Sequence, residues 1–244
     1  MKIRFFQKVI DKLRGKNHLS KYRKHNQLIL PDSFDESKLH IGIEGENNII
    51  KIGKGAKIRK NFAINGYIDN SVIEIGENFY CVNVSFRVGQ KHPNFGKIDN
   101  VKIKIGANTS WETGQLVTYN SNSYVDIGDD CMFAGDVMLF NTDAHPVFAK
   151  GTKDVINKVK GIKIGNHVWL GMKTTVLKNS EVPNNSIVGW GTVFSGTFGG
   201  GGGGETHEYC AFGGNPAKII KRNVDWDKCG AKYGYIENRG IEKE

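Results

Sequence analysis

Proline is scarce in this chain, 5 residues of 244, and its 4 cysteines keep far apart. Cys81, Cys131, Cys210 and Cys229 form no Cys-x-x-Cys pair. That spacing excludes a zinc ribbon and a thioredoxin-type redox motif, and it reads as reduced, mostly buried thiols of a cytosolic protein. No stretch approaches the ~20 apolar residues a membrane-spanning helix needs. The amino-terminal stretch lacks a signal-peptide apolar core, because charges interrupt it every few residues. Acidic residues are nearly missing from residues 1–24, where nine Lys and Arg face Asp11 alone. That segment holds almost all of the formal charge of +9 and leaves the remainder close to neutral. A nucleic-acid enzyme would spread basic residues around its site, so no nucleic-acid partner is expected.

Glycine, by contrast, is abundant at 31 residues. Many glycines with few prolines fit a fold made of tight turns better than a disordered chain. The turns are periodic. An aliphatic residue, a variable one and Ile-Gly recur as Ile50–Gly53, Ile73–Gly76, Ile103–Gly106, Val125–Gly128 and Ile162–Gly165. The glycines are 23, 30, 22 and 37 residues apart. A shorter period of six runs inside: Ile164, Leu170, Val176, Val182, Val188 and Phe194 follow it without interruption. Small or β-branched residues sit four places on, at Val168, Thr174, Ser180, Ser186 and Thr192. Earlier units keep the beat at Ile52, Ile58, Ile64, at Ile105, Trp111, Val117 and at Ile127, Phe133, Leu139, whereas Ile75, Cys81, Arg87 breaks at the third step.

Neither a helical period of 3.6 nor a strand period of 2 keeps this phase. Short strands that bury their apolar side only by stacking on the next coil do keep it. With three hexads per coil, the excess over eighteen residues is 5, 12, 4 and 19, and it always follows a third hexad. All insertions then leave one corner of a three-sided parallel β-helix. The expected organisation is a basic helical cap over 1–44 and a β-helix over 45–194 with insertions at 93–104 and 145–163. A Gly-rich loop, a closing helix over 217–223 and a polar tail fill 195–244. Ile3, Phe6, Ile10 and Leu13 stand at helical spacing. Two readings of that helix stay open: a cap on the solenoid end, or an interfacial helix on an anionic membrane surface.

The hexad pattern, the stretch Gly165–Gly171, the stretch Val188–Val193 and Gly214–Lys218 resemble the hexapeptide-repeat acyltransferases over roughly residues 45–222. Among these, the chain looks most like the O-acetyltransferases of capsular or lipopolysaccharide sugars, those carrying sialic acid included. The resemblance implies a left-handed coil, a homotrimer with sites between subunits, acetyl-CoA as co-substrate and a polysaccharide acceptor. A small antibiotic or an amino acid is the alternative acceptor.

His145, in Asn141-Thr-Asp-Ala-His-Pro146, opens the longest insertion and resembles the family's catalytic base. An imidazole with an ordinary pKa near 6.5 suits proton removal near neutrality. Asp143 shares a face with it if the segment is extended, and could then orient the ring. Trp169 resembles the tryptophan that the family places beside the thioester. Gly171, Gly189, Trp190, Lys218 and Lys221 fall where the family binds the cofactor arm and its phosphates. Trp190 departs from the small residue usual there.

Two rivals share the fold. A γ-class carbonic anhydrase needs a close His pair plus a third His for zinc. His18, His25, His40, His92, His145, His167 and His207 offer no such pair within the coils, so no metal is expected. A non-catalytic scaffold needs a flat regular face and has no use for a His-Pro loop. The expected compartment is the cytoplasm, with residues 1–24 either capping the coil or touching the inner membrane face.

Overall fold

A computed structural model of the chain describes residues 19–92, 96–197 and 207–229. Within them the backbone coils into a three-sided parallel β-helix. The first face stacks seven strands: Gln27–Ile29, Ile49–Ile52, Val72–Ile75, Lys102–Ile105, Tyr124–Ile127, Gly161–Ile164 and Glu181–Val182. The second and third faces share one 13-stranded sheet. In the early coils single strands, Lys57–Asp69, Tyr80–Val88 and Ser110–Thr118, bend from one face to the other. Further along these divide. Met132–Phe133, Trp169–Leu170, Ile187–Val188 and Cys210–Gly213 lie on the second face. Val137–Asn141, Thr175–Leu177 and Val193–Phe194 lie on the third.

Parallel register makes every inward position a column. Ile52, Ile75, Ile105, Ile127, Ile164 and Val182 stack on the first face. Ile58, Cys81, Trp111, Phe133, Leu170, Val188 and Phe212 stack on the second. Each is buried, and a fully buried side chain of this size contributes roughly 1.5–3 kcal/mol. The third column is Ile64, Phe86, Leu116, Leu139, Val176 and Phe194. Aromatic rings run through the interior: Phe62 meets Phe86 edge-on at 5.0 Å, and Trp111 meets Phe133 at 5.3 Å. Gly114, at φ +152°, makes room for the large indole, since a Cβ there would lie 2.7 Å from Trp111 Nε1 and against the Val137 carbonyl.

The corners turn on residues with φ near +55°, where asparagine is the least costly side chain. Asn47, Asn70, Asn100 and Asn122 mark the corner before the first face, and Asn78, Asn108, Asp130, His167 and Asn185 the corner after it. Their amides ladder between coils, as in Asn78 Nδ2 to Asn108 Oδ1 at 3.0 Å. The outward column of the first face alternates in sign: Lys51, Glu74, Lys104, Asp126, Lys163, Glu181. Opposite charges across neighbouring strands favour this register, whereas a slip of one coil would place like charges together.

The structure corrects the sequence-based expectations in three places. First, the coil already begins at Gln27–Ile29 rather than at 45, and it reaches Cys210–Gly213, beyond 194; these terminal strands lack the Ile-Gly phrase. Second, the corner between second and third faces is one residue shorter in two coils. Phe86 and Leu116 therefore enter the core where the period of six broke at Arg87 and pointed to Val117. Third, the closing segment is a strand, Lys218–Arg222, antiparallel to Cys210–Gly213, and not a helix. Pairing with the last strand of the second face satisfies its backbone there, and that outweighs a weak local helix preference. The helix expected over residues 1–16 and the run Gly199–Gly204 lie outside the described residues. What is described before the coil is a helical turn at 19–22, with Leu19 and Tyr22 buried against the interior.

Candidate active site

His145 follows the third-face strand Val137–Asn141 at the start of the long insertion, and its side chain is exposed. The turn carrying it is pinned from several sides. Thr142 Oγ1 donates to Asn120 Oδ1 at 2.9 Å and accepts from Ala144 N at 3.0 Å. His145 N donates to the Asp143 carbonyl at 2.6 Å across Ala144, whose φ is +59°. Asn157, from the far limb of the insertion, closes the arrangement. Its Nδ2 donates to the His145 carbonyl at 2.9 Å and to Asp143 Oδ2 at 2.6 Å, while its Oδ1 accepts from Val147 N at 2.8 Å.

Asp143 is placed differently from the sequence-based expectation. The tight turn takes it off the face of His145, and its carboxylate goes to Asn157 and to Lys178 Nζ at 3.3 Å. No hydrogen bond joins it to the imidazole in this structure. Asp143 holds the turn, and the ring stays open to an incoming group.

Trp169 stands on the outward side of the second face, half-buried, between Met132 and Ile187 of the adjacent coils. Gly171 follows in the same coil, and Gly189 and Trp190 lie one coil on. A Cβ on Gly171 would stand 2.9 Å from Trp190 N and from the Val188 carbonyl, so a side chain there would collide with the next coil. Trp190 is 67% exposed. Lys218 and Lys221, both exposed, lie on the closing strand opposite Gly213 and Ala211. Trp169 thus lies on the second face, Gly171, Gly189 and Trp190 directly after its strands, and Lys218 and Lys221 on the closing strand at its carboxy-terminal edge. His145 leaves from the corner between the third and first faces, so one chain does not bring it to that group.

One further cluster carries no periodic signal in the sequence. Residues 225–228 return to the corner of Asn108, Asp130 and His167. The Trp226 indole lies flat on the His167 ring, with centroids 4.3 Å apart and planes 11° apart. Trp226 Nε1 donates to the His167 carbonyl at 3.0 Å, and the Trp226 carbonyl faces His167 Nε2 at 3.1 Å. His167 Nδ1 meets Asp130 Oδ2 at 2.8 Å, and Lys228 Nζ meets Asp130 Oδ1 and the Asn108 carbonyl at 2.7 Å each. Burial pushes the Asp130 carboxyl upward, but Lys228 and His167 outweigh it and hold the group below its ordinary 3.8. Among the described residues no cluster of three or more His, Cys, Asp and Glu could hold a metal ion.

Three-hexad coils and parallel stacking define a hexapeptide-repeat, left-handed parallel β-helix. Within that class the chain is similar to polysialic acid O-acetyltransferases. It is 36% identical over 126 residues to that of Escherichia coli O1:K1 / APEC, covering 51% of this chain and 38% of the relative. With that of Neisseria meningitidis it shares 31% over 138 residues, covering 55% and 57%. The chain therefore spans about two fifths of one relative's length and under three fifths of the other's. Among solved structures, polysialic acid O-acetyltransferase OatWY superposes with a TM-score of 0.64 at 27% identity, covering 84% of this chain and 88% of that one. The polySia-specific acetyltransferase NeuO gives 0.56 at 28% identity, covering 79% and 90%. No protein-family model matches the chain.

Proposed function

We propose that this protein is an O-acetyltransferase that moves an acetyl group from acetyl-CoA to a hydroxyl of an anionic capsular polysaccharide, of which polysialic acid is the leading candidate. The observation that carries the reading is the exposed His145 imidazole on a turn pinned by Asn157, Asp143 and Asn120. Similarity to proteins named for this activity supports it.

A thioester is already activated, so the chain need only position a hydroxyl against it and take up the proton as the new bond forms. His145 is the base: its ring accepts the hydroxyl proton as the oxygen–acetyl bond forms, and returns it to the thiolate released when the carbon–sulfur bond breaks. The pinned turn fixes where the ring sits, which keeps the orientation cost of that encounter low. Acetyl-CoA would supply the acyl group, and the residues present fit it. Trp169 and Trp190 offer aromatic faces, Lys218 and Lys221 stand exposed for phosphates, and Gly171 and Gly189 let the coils that carry the two indoles pack closely.

His145 and this cofactor group occupy different parts of one coil, so a working site uses His145 from one chain and Trp169 from another. A homotrimer with three shared sites follows. The buried thiols of Cys81, pushed up to about 12, and Cys131, pushed up to about 11, owe those values to desolvation. Unpaired thiols throughout support a reducing compartment, and we place the reaction in the cytoplasm. Residues 1–24 would serve there as a coil cap or as a peripheral contact with the inner membrane face. Among the described residues no helix is long and apolar enough to cross a membrane.

The test is acetyl transfer from acetyl-CoA to a panel holding polysialic acid, other anionic capsular polysaccharides, a neutral glycan, an antibiotic amine and amino acids. Transfer to the anionic polysaccharides is expected. Transfer only to the small molecules would overturn the acceptor class, and no transfer at all would overturn the activity.

A further inference from the structure

Trp169 makes its aromatic contact with a residue outside its own coil. It belongs to a two-residue strand, points outward and is only half-buried. Its indole packs sideways against Trp226, at a centroid distance of 6.1 Å and a tilt of 44°. Trp226 is far better held. It stacks on His167 and exchanges hydrogen bonds with it in both directions, at 3.0 and 3.1 Å. His167 in turn is anchored to Asp130, which Lys228 also grips. A continuous line of contacts thus runs Asp130, His167, Trp226, Trp169.

The identity of His167 adds to this. It sits at φ +54° in a corner column that Asn78, Asn108 and Asn185 also occupy. An asparagine there can ladder to the next coil, as Asn78 does. His167 instead sends its ring outward, where both nitrogens face oxygen atoms of Asp130, Trp226 and Asp225. Its planar face then becomes the platform on which the indole lies. An offset stack of two flat rings with two hydrogen bonds leaves Trp226 little rotational freedom, and the second indole inherits that restriction.

We propose that residues 225–228 form a strap that positions Trp169 for acetyl-CoA, with Trp226 and His167 as positioning residues. The inference rests on the reading of Trp169 as a cofactor contact. It adds that the geometry of that contact is set from the carboxy-terminal segment and not by the hexapeptide coil. Neither Trp226 nor His167 touches the reacting atoms. Removing the strap should therefore weaken cofactor binding while the coil stays folded.

Acetyl-CoA affinity of the full-length chain, measured by titration calorimetry, separates the possibilities when read with near-UV circular dichroism and the thermal midpoint. Trp226→Ala is expected to weaken acetyl-CoA binding about tenfold, to lose near-UV signal from the indole pair and to keep the far-UV spectrum. His167→Asn keeps the corner conformation but removes the platform, and it should weaken binding by a similar factor. Trp226→Phe keeps a stacking face and should recover affinity to within about threefold. A strap that merely stabilises the fold would lower the thermal midpoint and leave the affinity of the folded fraction unchanged; that result overturns the proposal. Trp169→Ala supplies the control. If it weakens binding while Trp226→Ala does not, the strap is wrong and the cofactor reading stands. If Trp169→Ala is itself silent, the cofactor reading falls and the positioning role falls with it.

Discussion

At the scale of single residues, His145 and Asp143 show how two neighbours divide a task. In an extended segment they would share a face, and the carboxylate could have oriented the ring. The turn at Ala144 separates them, and Asp143 Oδ2 meets both Asn157 Nδ2 and Lys178 Nζ. Positioning of His145 therefore falls to its backbone carbonyl and to Asn157. His145→Ala should lower turnover by roughly 10²–10⁴-fold, the usual worth of a general base, with acetyl-CoA affinity and far-UV spectrum near those of the parent. Turnover within threefold of the parent would remove His145 from the mechanism. Asp130 makes a second residue-scale prediction. Its folded-state carboxyl titrates below the ordinary 3.8 because Lys228 and His167 outweigh burial. A depressed carboxyl contributes stability that is fully present above the unfolded value and lost as pH falls through the folded one. The strap at 225–228 should hold down to about pH 4 and release below it, read as loss of near-UV tryptophan signal. A Lys228→Ala variant should release at higher pH. Release in both proteins at one common pH would show that Asp130 does not control the strap.

At the scale of elements, the coil was legible because inward and outward positions alternate locally and repeat every six residues, so burial is written in the spacing alone. Where spacing misled, a corner had shortened: the beat broke at Arg87 and passed through Val117 on paper, but Phe86 and Leu116 take the core positions. The closing strand at Lys218–Arg222 was missed because its seven-residue neighbourhood has no period of its own and its pairing is decided by Cys210–Gly213. The strap was missed for a related reason, since Trp226 meets a partner 59 residues away. His145 stands out as a candidate base from its Pro neighbour and its place before the longest insertion; Asn157, on the far limb, has no such signal. That limb also determines how much of the insertion can be removed. Asn157 pins the His145 turn, and Lys158 and Lys160 bond to Asn179, while Lys160 also feeds the first-face strand at Tyr124. Residues 148–155 bond to one another within a hairpin, through Ala149 N to the Asp154 carbonyl, Thr152 N to the Ala149 carbonyl and the antiparallel bridge Phe148 to Val155. Replacing 148–155 with a short Gly/Ser turn should leave the chain folded and able to bind acetyl-CoA, because each halving of loop length changes closure entropy by only about 0.6 kcal/mol. Acceptor KM should rise or kcat should fall, and parental kinetics on the true acceptor would exclude the hairpin from acceptor choice.

At the scale of the whole molecule, the distribution of surface chemistry bears on assembly. The first face carries the alternating ladder from Lys51 to Glu181, which is suited to water. That face also exposes Ile29 and Tyr124, and further apolar surface lies elsewhere. Val147, Phe148, Val155 and Ile156 stand on the hairpin beside His145, with Ile156 62% exposed, and Met172 is exposed next to Gly171, as is Trp190 within the cofactor group. Exposed apolar groups gathered near both halves of a proposed site fit a neighbouring chain better than solvent. Closed cyclic assembly suits this arrangement, since a head-to-tail contact between unlike patches must close into a ring or grow without end. Three chains close it if each lends His145 to the next one's Trp169. Sedimentation equilibrium at micromolar concentration should give about three times the 27.1 kDa chain mass. Mixing makes the sharing itself measurable. His145→Ala and Trp169→Ala chains, each weakened alone, should recover activity when dissociated and reassembled together, because some mixed sites pair an intact His145 with an intact Trp169. A fully active monomer would overturn both the trimer and the shared site. A trimer that shows no recovery on mixing would keep the assembly and confine each site to one chain.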